Sequence, residues 1–305
     1  MRRPTSTVGV LDVGCFSAHL LVVDAERGSP RDPVHSHKIR LRLDKSYDDS
    51  GSLTRDGIEA VAGAVAAIRR RAARVGVSLP DVIPFATSSI RDAANADEIV
   101  RQVARRTGVT LRRFTGTQEA RLAYLAARRW FGWSAGALTV LDVGGGTVEL
   151  AAGDADRPLV ARSLPYGART LTALGTDAEG RADLERLIRA ALPADELAVL
   201  VGGRAIGCSK VFQQLARLAD APALRAADLD RWIPRLARLS ARRRAKLPGI
   251  SRHRAEQSLA GAVAARALMG VTGHDRVEIS PWSTKEGLLL TLLEPGHHEA
   301  IAGVA

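Results

Sequence analysis

Two carboxylates flank a run of three glycines: Asp142 precedes Gly144-Gly145-Gly146-Thr147, and Glu149 follows it. Consecutive glycines let a chain turn sharply with φ above zero and let backbone N–H groups come close to a ligand. Such a turn suits phosphate. Two acids beside phosphate are repulsive unless a cation lies between. Mg²⁺ (or Mn²⁺) fits that role, because Mg²⁺ takes oxygen ligands, keeps several waters and is often held by one or two carboxylates plus phosphate. Taken alone, Glu149 reads as an ordinary exposed strand residue. Asp142 ends an apolar strand, where an unused acid is costly. No lysine follows the glycines, which excludes a P-loop. Val148 to Ala152 reads as strand, which excludes a dinucleotide fingerprint. The turn is a β-hairpin.

The hairpin has a counterpart. Val-Leu-Asp-Val-Gly occurs at 10–14 and again at 140–144, and the register then holds without a gap: Asp12 answers Asp142, Ser17 answers Thr147 and Leu20 answers Leu150. A repeated strand–turn–strand unit predicts two similar domains facing each other across a cleft lined by the two turns. Gly14, Cys15 and Ser17 of the first turn and Gly144 to Thr147 of the second are the candidate phosphate contacts.

Three further residues qualify. Arg91 follows hydroxyl-rich Thr87-Ser88-Ser89 at the end of a predicted strand, an anion clamp or equally a surface arginine beside an N-cap. Glu119 sits in the first turn of a predicted helix. The helix dipole alone favours a carboxylate there, and a base that orients or deprotonates an attacking water is the functional alternative. Lys210 follows the third glycine-bearing segment, Gly202 to Ser209, and reads equally as a phosphate contact or a solvated helix start.

The elements that must position these residues follow from the hydrophobic pattern. Strands are expected at 8–13, 19–23, 34–43, 82–86 and 110–114, and helices from after Thr54 to about Arg74, over Asn95–Arg106 and over Gln118–Arg129. The second half repeats the opening with strands at 137–143, 148–152 and 159–163, a helix at 182–191 and a strand at 197–201. Lys210 to Met269 reads as almost wholly helical, before a strand at 277–279 and a helix at 284–293. This is an α/β pattern. The domains are expected at 1–130 and 131–305, with 292–305 a candidate to pack back on the first. A formal charge of +11, nearly all the cations being arginine, draws polyanions, although a codon bias toward arginine would also raise the count. Two cysteines exclude a disulfide framework and a zinc site. With no apolar run of membrane length, cytoplasmic residence without a membrane partner is expected. The basic run Arg242 to Lys246 lacks interleaved aromatics, so nucleic acid is not expected. A homodimer is the base-rate oligomer.

The spaced set Leu-Asp-Val-Gly at 11–14, Ala-Thr-Ser-Ser-Ile-Arg-Asp-Ala at 86–93, Gln-Glu-Ala-Arg-Leu-Ala-Tyr-Leu at 118–125 and Leu-Asp-Val-Gly-Gly-Gly-Thr-Val-Glu at 141–149 resembles the exopolyphosphatase/guanosine pentaphosphate phosphohydrolase family. Pro281-Trp282 through Leu288 is similar to that family's closing segment. The resemblance implies two ribonuclease-H-like domains of the actin/hexokinase/Hsp70 superfamily, without the extra helical domains of longer relatives. It also implies Glu119 as the catalytic glutamate, Asp12, Asp142 and Glu149 at magnesium, and Arg91 on the phosphate chain. Inorganic polyphosphate would be shortened by one orthophosphate at a time. Alternatives are guanosine pentaphosphate hydrolysed to tetraphosphate, a silent binder of either ligand, or a kinase of the same superfamily. The chain departs from the family at Cys15-Phe16, where Ser-Asn is usual, and a thiol is the weaker hydrogen-bonding group.

Overall fold

The computed structural model describes residues 6–77 and 81–294. By contact it divides into a first unit, Met1–Thr115 with the chain from Lys285 onward, and a second, Gly116–Thr284.

In the first unit, β1 (Thr7–Gly14), β2 (Ser17–Asp24) and β3 (His35–Arg40) form an antiparallel meander. Then come α1 (Arg55–Arg74), β4 (Val82–Ala86), the single turn α2 (Ser88–Arg91), α3 (Ala96–Thr107) and β5 (Arg112–Arg113). β4 lies parallel to β1 and β5 parallel to β4, so the strand order is β3-β2-β1-β4-β5. α1 starts where the sequence marks a cap, the Thr54 side chain accepting from the Gly57 amide. Its Ile58, Val61, Val65 and Ile68 recur at helical spacing and are buried in the same apolar cluster as Leu11, Val13, Leu20 and Val22. Burial of such side chains contributes about 1.5–3 kcal/mol each.

The second unit opens with α4 (Gly116–Phe131), then the meander β6 (Leu138–Val143), β7 (Val148–Gly153) and β8 (Val160–Leu164). Three helices follow, α5 (Ala168–Ala173), α6 (Arg181–Ala190) and α7 (Ala194–Val201), and then β9 (Arg204–Gly207) and α8 (Lys210–Leu218). The unit closes with β10 (Ala223–Arg225), α9 (Ala226–Ala237), α10 (Ala241–Arg244), α11 (Ser258–Val271) and β11 (Arg276–Ile279). Its strand order is β8-β7-β6-β9-β11-β10. Apart from the edge strand β10, that is the first unit's order again, so the duplication seen in five residues extends through both sheets. α12 (Thr284–Leu293) begins at the division between units.

Several expectations change. Leu197 to Val201 is not a strand but the end of α7, which follows Pro193 and carries Asp195 and Glu196 in its first turn, both favourable at a helix start. The strand lies beyond the glycines, at β9. β10 interrupts the expected all-helical stretch, and α5 was not foreseen. The contact division falls at Thr115/Gly116 rather than near 130, because α4 packs on β6, β7 and β8. Of the segment considered for packing back, residues 295–305 lie outside the described residues.

Arg128 explains how α4 is seated. Only 1% exposed, it donates to the carbonyls of Gly136 (2.7 Å) and Gly153 (3.2 Å) and to the Tyr124 hydroxyl (3.0 Å). A buried guanidinium is tolerated only where such acceptors replace water. These acceptors fix the C-terminal half of α4 at the Leu138 end of β6, opposite Gly153 in the ladder.

Candidate functional site

In the second unit the glycine hairpin rests on α5. The carbonyls of Gly144, Gly145 and Gly146 accept from the amides of Ala168 (2.9 Å), Arg169 (2.8 Å) and Gly167 (3.1 Å), and the Thr170 hydroxyl also donates to Gly146 (3.0 Å). With every carbonyl of the run committed to this support, the amides of Gly145 and Thr147 have no acceptor among the described residues. They are the hairpin's candidate anion contacts. None of the three glycines has positive φ, so the expected conformational reason for them is corrected. Gly144 serves close approach, since a Cβ there would lie 3.0 Å from the Thr147 carbonyl oxygen, and Gly167 beneath lies directly against Gly146 and Thr147.

Asp142 and Glu149 are direct partners across the β6–β7 ladder, so the hairpin holds both acids at its neck. Both are buried, Asp142 at 8% and Glu149 at 5% exposed, which removes the reading of Glu149 as an exposed strand residue. Each is oriented by a serine: Ser283 Oγ donates to Asp142 Oδ2 (2.7 Å) and Ser163 Oγ to Glu149 Oε1 (2.9 Å). A third serine, Ser209, caps α8 by accepting from the Phe212 amide and also accepts from the Val143 amide (3.2 Å), tying the third glycine segment to the end of β6. Lys210, next to it, donates to Gln213 Oε1 of its own helix (2.6 Å) and is exposed.

Glu119 is 6% exposed in the first turn of α4. α4 packs on β6, β7 and β8, the sheet that carries Asp142 and Glu149.

The first unit repeats the arrangement with different side chains. Asp12 pairs with His19 across β1–β2, where the second unit has Asp142 with Glu149. Cys15 and Phe16 form the turn between Gly14 and Ser17, and both are buried with the apolar cluster of this unit. Phe16 thus anchors the turn from beneath, and its carbonyl accepts from the Leu41 amide (2.9 Å). Gly14 lies close to Thr87, whose hydroxyl would be 3.2 Å from an added Cβ. Arg91 is engaged: Nε and Nη2 donate to Asp92 (2.7 and 2.8 Å) and Nη1 to the Phe114 carbonyl (3.3 Å).

Asp12 Oδ1 is buried with no hydrogen-bond partner among the described residues. Burial pushes its pKa up to about 6; the Lys285 cation lowers it, Glu286 raises it and Lys38 lowers it. Lys285 and Glu286 pair at 2.6 Å at the start of α12. Sequence reasoning passed over Lys285, Glu286, Ser163, Ser209, Ser283 and Gly167 as site residues. The Pro281–Leu288 segment carried a signal for Ser283, Lys285 and Glu286, and the third glycine-bearing segment one for Ser209.

An orphaned carboxylate oxygen and an acid pair at a hairpin neck both suit a hard cation. Among the described residues no group of three His, Cys, Asp or Glu could hold a metal by itself. The Asp142–Glu149 pair fits an ion that takes one or two carboxylates and completes its shell with phosphate oxygens and water.

The chain matches the Ppx/GppA phosphatase family over residues 21–295. It is 40% identical to Exopolyphosphatase 1 of Mycobacterium bovis, over 94% of this chain and 88% of that one. An uncharacterised Streptomyces coelicolor protein is 42% identical, over 94% of this chain and 90% of its own. Among solved structures, an exopolyphosphatase from Cytophaga hutchinsonii superposes with a TM-score of 0.81 at 21% identity, covering 94% of this chain and 98% of that one. The Aquifex aeolicus Ppx/GppA family member does so with 0.74 at 22% identity, covering 98% and 99%. No helix among the described residues is long and apolar enough to cross a membrane.

Proposed function

Because the chain belongs to the Ppx/GppA phosphatase family, we propose that it is an exopolyphosphatase that hydrolyses the terminal phosphoanhydride of inorganic polyphosphate. The observation that carries the reading is the hairpin of the second unit. Its glycine carbonyls are all committed to the start of α5, the Gly145 and Thr147 amides have no acceptor among the described residues, and two serine-oriented acids stand at its neck.

Asp142 and Glu149 would hold Mg²⁺ in the second unit, and the orphaned oxygen of Asp12 is the corresponding donor of the first. Bound there, the ion would neutralise phosphate charge and polarise the phosphorus–oxygen bonds. The Gly145 and Thr147 amides bind the terminal phosphate, and Gly14 and Ser17 supply the matching turn. Arg91 meets the phosphate chain by exchanging Asp92 for phosphate oxygens. Glu119 accepts the proton of a water whose oxygen attacks the terminal phosphorus. The bridging oxygen leaves with the shortened chain, and orthophosphate is released. Positioning and electrostatics supply most of the rate in such a displacement. Lys210 bonds Gln213 and is given no role here.

Guanosine pentaphosphate presents the same terminal group, and a competition experiment separates the two substrates. Orthophosphate release from medium-chain polyphosphate should exceed release from guanosine pentaphosphate at equal phosphate-end concentration. Chelation of divalent ions should abolish both, and added Mg²⁺ should restore them. Preferential hydrolysis of the nucleotide would reassign the substrate, and full activity in chelator would remove the metal from the account.

A further inference from the structure

Residues 231–254 hold nine of the chain's 44 basic residues and none of its 33 acids. The segment thus carries +9 of the formal +11, leaving +2 for the other 281 residues. A general bias toward arginine does not account for that contrast. Elsewhere arginines meet acids, as in Arg42–Asp44, Arg113–Asp97 and Arg204–Glu278. Here the exposed Arg235, Arg238, Arg242, Arg243, Lys246 and Arg252 form no ion pair among the described residues.

The cations are held together by the fold. On α9, Ile233 and Leu236 are buried while Arg235 is exposed, as is Arg238 at the helix's C-cap. Arg244 turns inward and donates to the Leu236 carbonyl (2.8 Å) and the Glu256 carbonyl (3.3 Å), lashing the end of α9, α10 and the loop before α11 into one surface. That loop continues toward the hairpin. Arg254, Gln257 and Ile250 line a cleft with Ala168, the residue whose amide holds the Gly144 carbonyl.

We propose that the face of α9, α10 and the following loop is a second binding surface, which holds the interior of a long polyphosphate whose end lies at the glycine hairpin. This rests on the polyphosphate reading above. A bare phosphate polymer suits the surface better than nucleic acid, which would call for aromatic faces open to bases. Trp232, the aromatic residue of this segment, is half-buried under the Arg235 guanidinium (5.4 Å), with its indole nitrogen buried. Binding of this kind displaces counterions, so its affinity falls steeply with salt.

The test is the quadruple variant Arg235→Gln, Arg238→Gln, Arg242→Gln and Arg243→Gln, beside the four Arg→Lys changes and each Gln pair made separately. Dissociation constants for polyphosphate of several hundred units should rise at least tenfold in the Gln quadruple, and the slope against log salt should flatten by roughly 3. The Lys variant should stay near wild type, and KM for tripolyphosphate should not change in any variant. Unchanged long-chain binding, or equal losses on tripolyphosphate, overturns the proposal. So does a loss confined to single-stranded RNA of matched charge. Should wild type hydrolyse neither chain length, the exopolyphosphatase reading fails, while the binding arm still decides whether this surface holds polyphosphate.

Discussion

Glu119→Gln is expected to lower kcat on polyphosphate by about 100- to 10,000-fold, the usual contribution of a positioned general base. KM should stay within roughly threefold, because the change removes a proton acceptor used in the transition state and leaves the phosphate contacts in place. Glutamine matches glutamate in shape, so packing at this 6%-exposed position is preserved and Tm should hold within a few degrees. Steady-state kinetics with thermal melts check both parts. Equal rates in variant and wild type would take Glu119 out of the mechanism. A large rise in KM with kcat unchanged would make it a binding residue instead.

The second large effect comes from a residue with no functional group. A Cβ on Gly167 would lie 2.4 Å from Gly146 C and Thr147 N and 2.5 Å from Gly145 O. All three are backbone atoms, so the hairpin itself must move. Alanine accepts the Gly167 backbone angles, φ −69 and ψ 162, so the penalty is steric. Overpacking of this kind costs about 1–3 kcal/mol, and the displaced amide–carbonyl bonds add about 0.5–1.5 kcal/mol each. A loop that binds the reacting phosphate tolerates little of this, since a 1 Å misplacement can cost about 100-fold. Gly167→Ala should therefore lower Tm and reduce kcat/KM by about two orders of magnitude or more. Gly63→Ala, in α1 where an added Cβ meets nothing within 4 Å, should stabilise by roughly 0.5–1 kcal/mol and leave activity alone. Wild-type kcat/KM in Gly167→Ala would contradict the hairpin's role.

Local patterns in the chain were legible before any coordinates. Thr54 announced α1, Asn95 announced α3, and the apolar spacing placed α12 at Thr284–Leu293. The duplicated pentapeptide carried most: a gapless repeat equates Asp12 with Asp142 and Ser17 with Thr147, and the two ladders place these residues at matching positions. What escaped depends on contacts between distant residues. Ser163 and Ser283 orient the two acids from 14 and 141 residues away, and a lone serine has no pattern. Gly167 matters only because α5 lies beneath the hairpin. The 197–201 stretch is apolar enough for either a strand or a short buried helix. Periodicity does not separate these over five residues, and the acids upstream at 195 and 196 decided for helix.

End-labelled polyphosphate of uniform length, incubated with the purified chain and Mg²⁺ and resolved by electrophoresis, tests the central claim most directly. A ladder shortening from the termini, with orthophosphate as the sole small product from the earliest times, is the predicted result. Internal fragments without orthophosphate, or a substrate band that never changes, would contradict it.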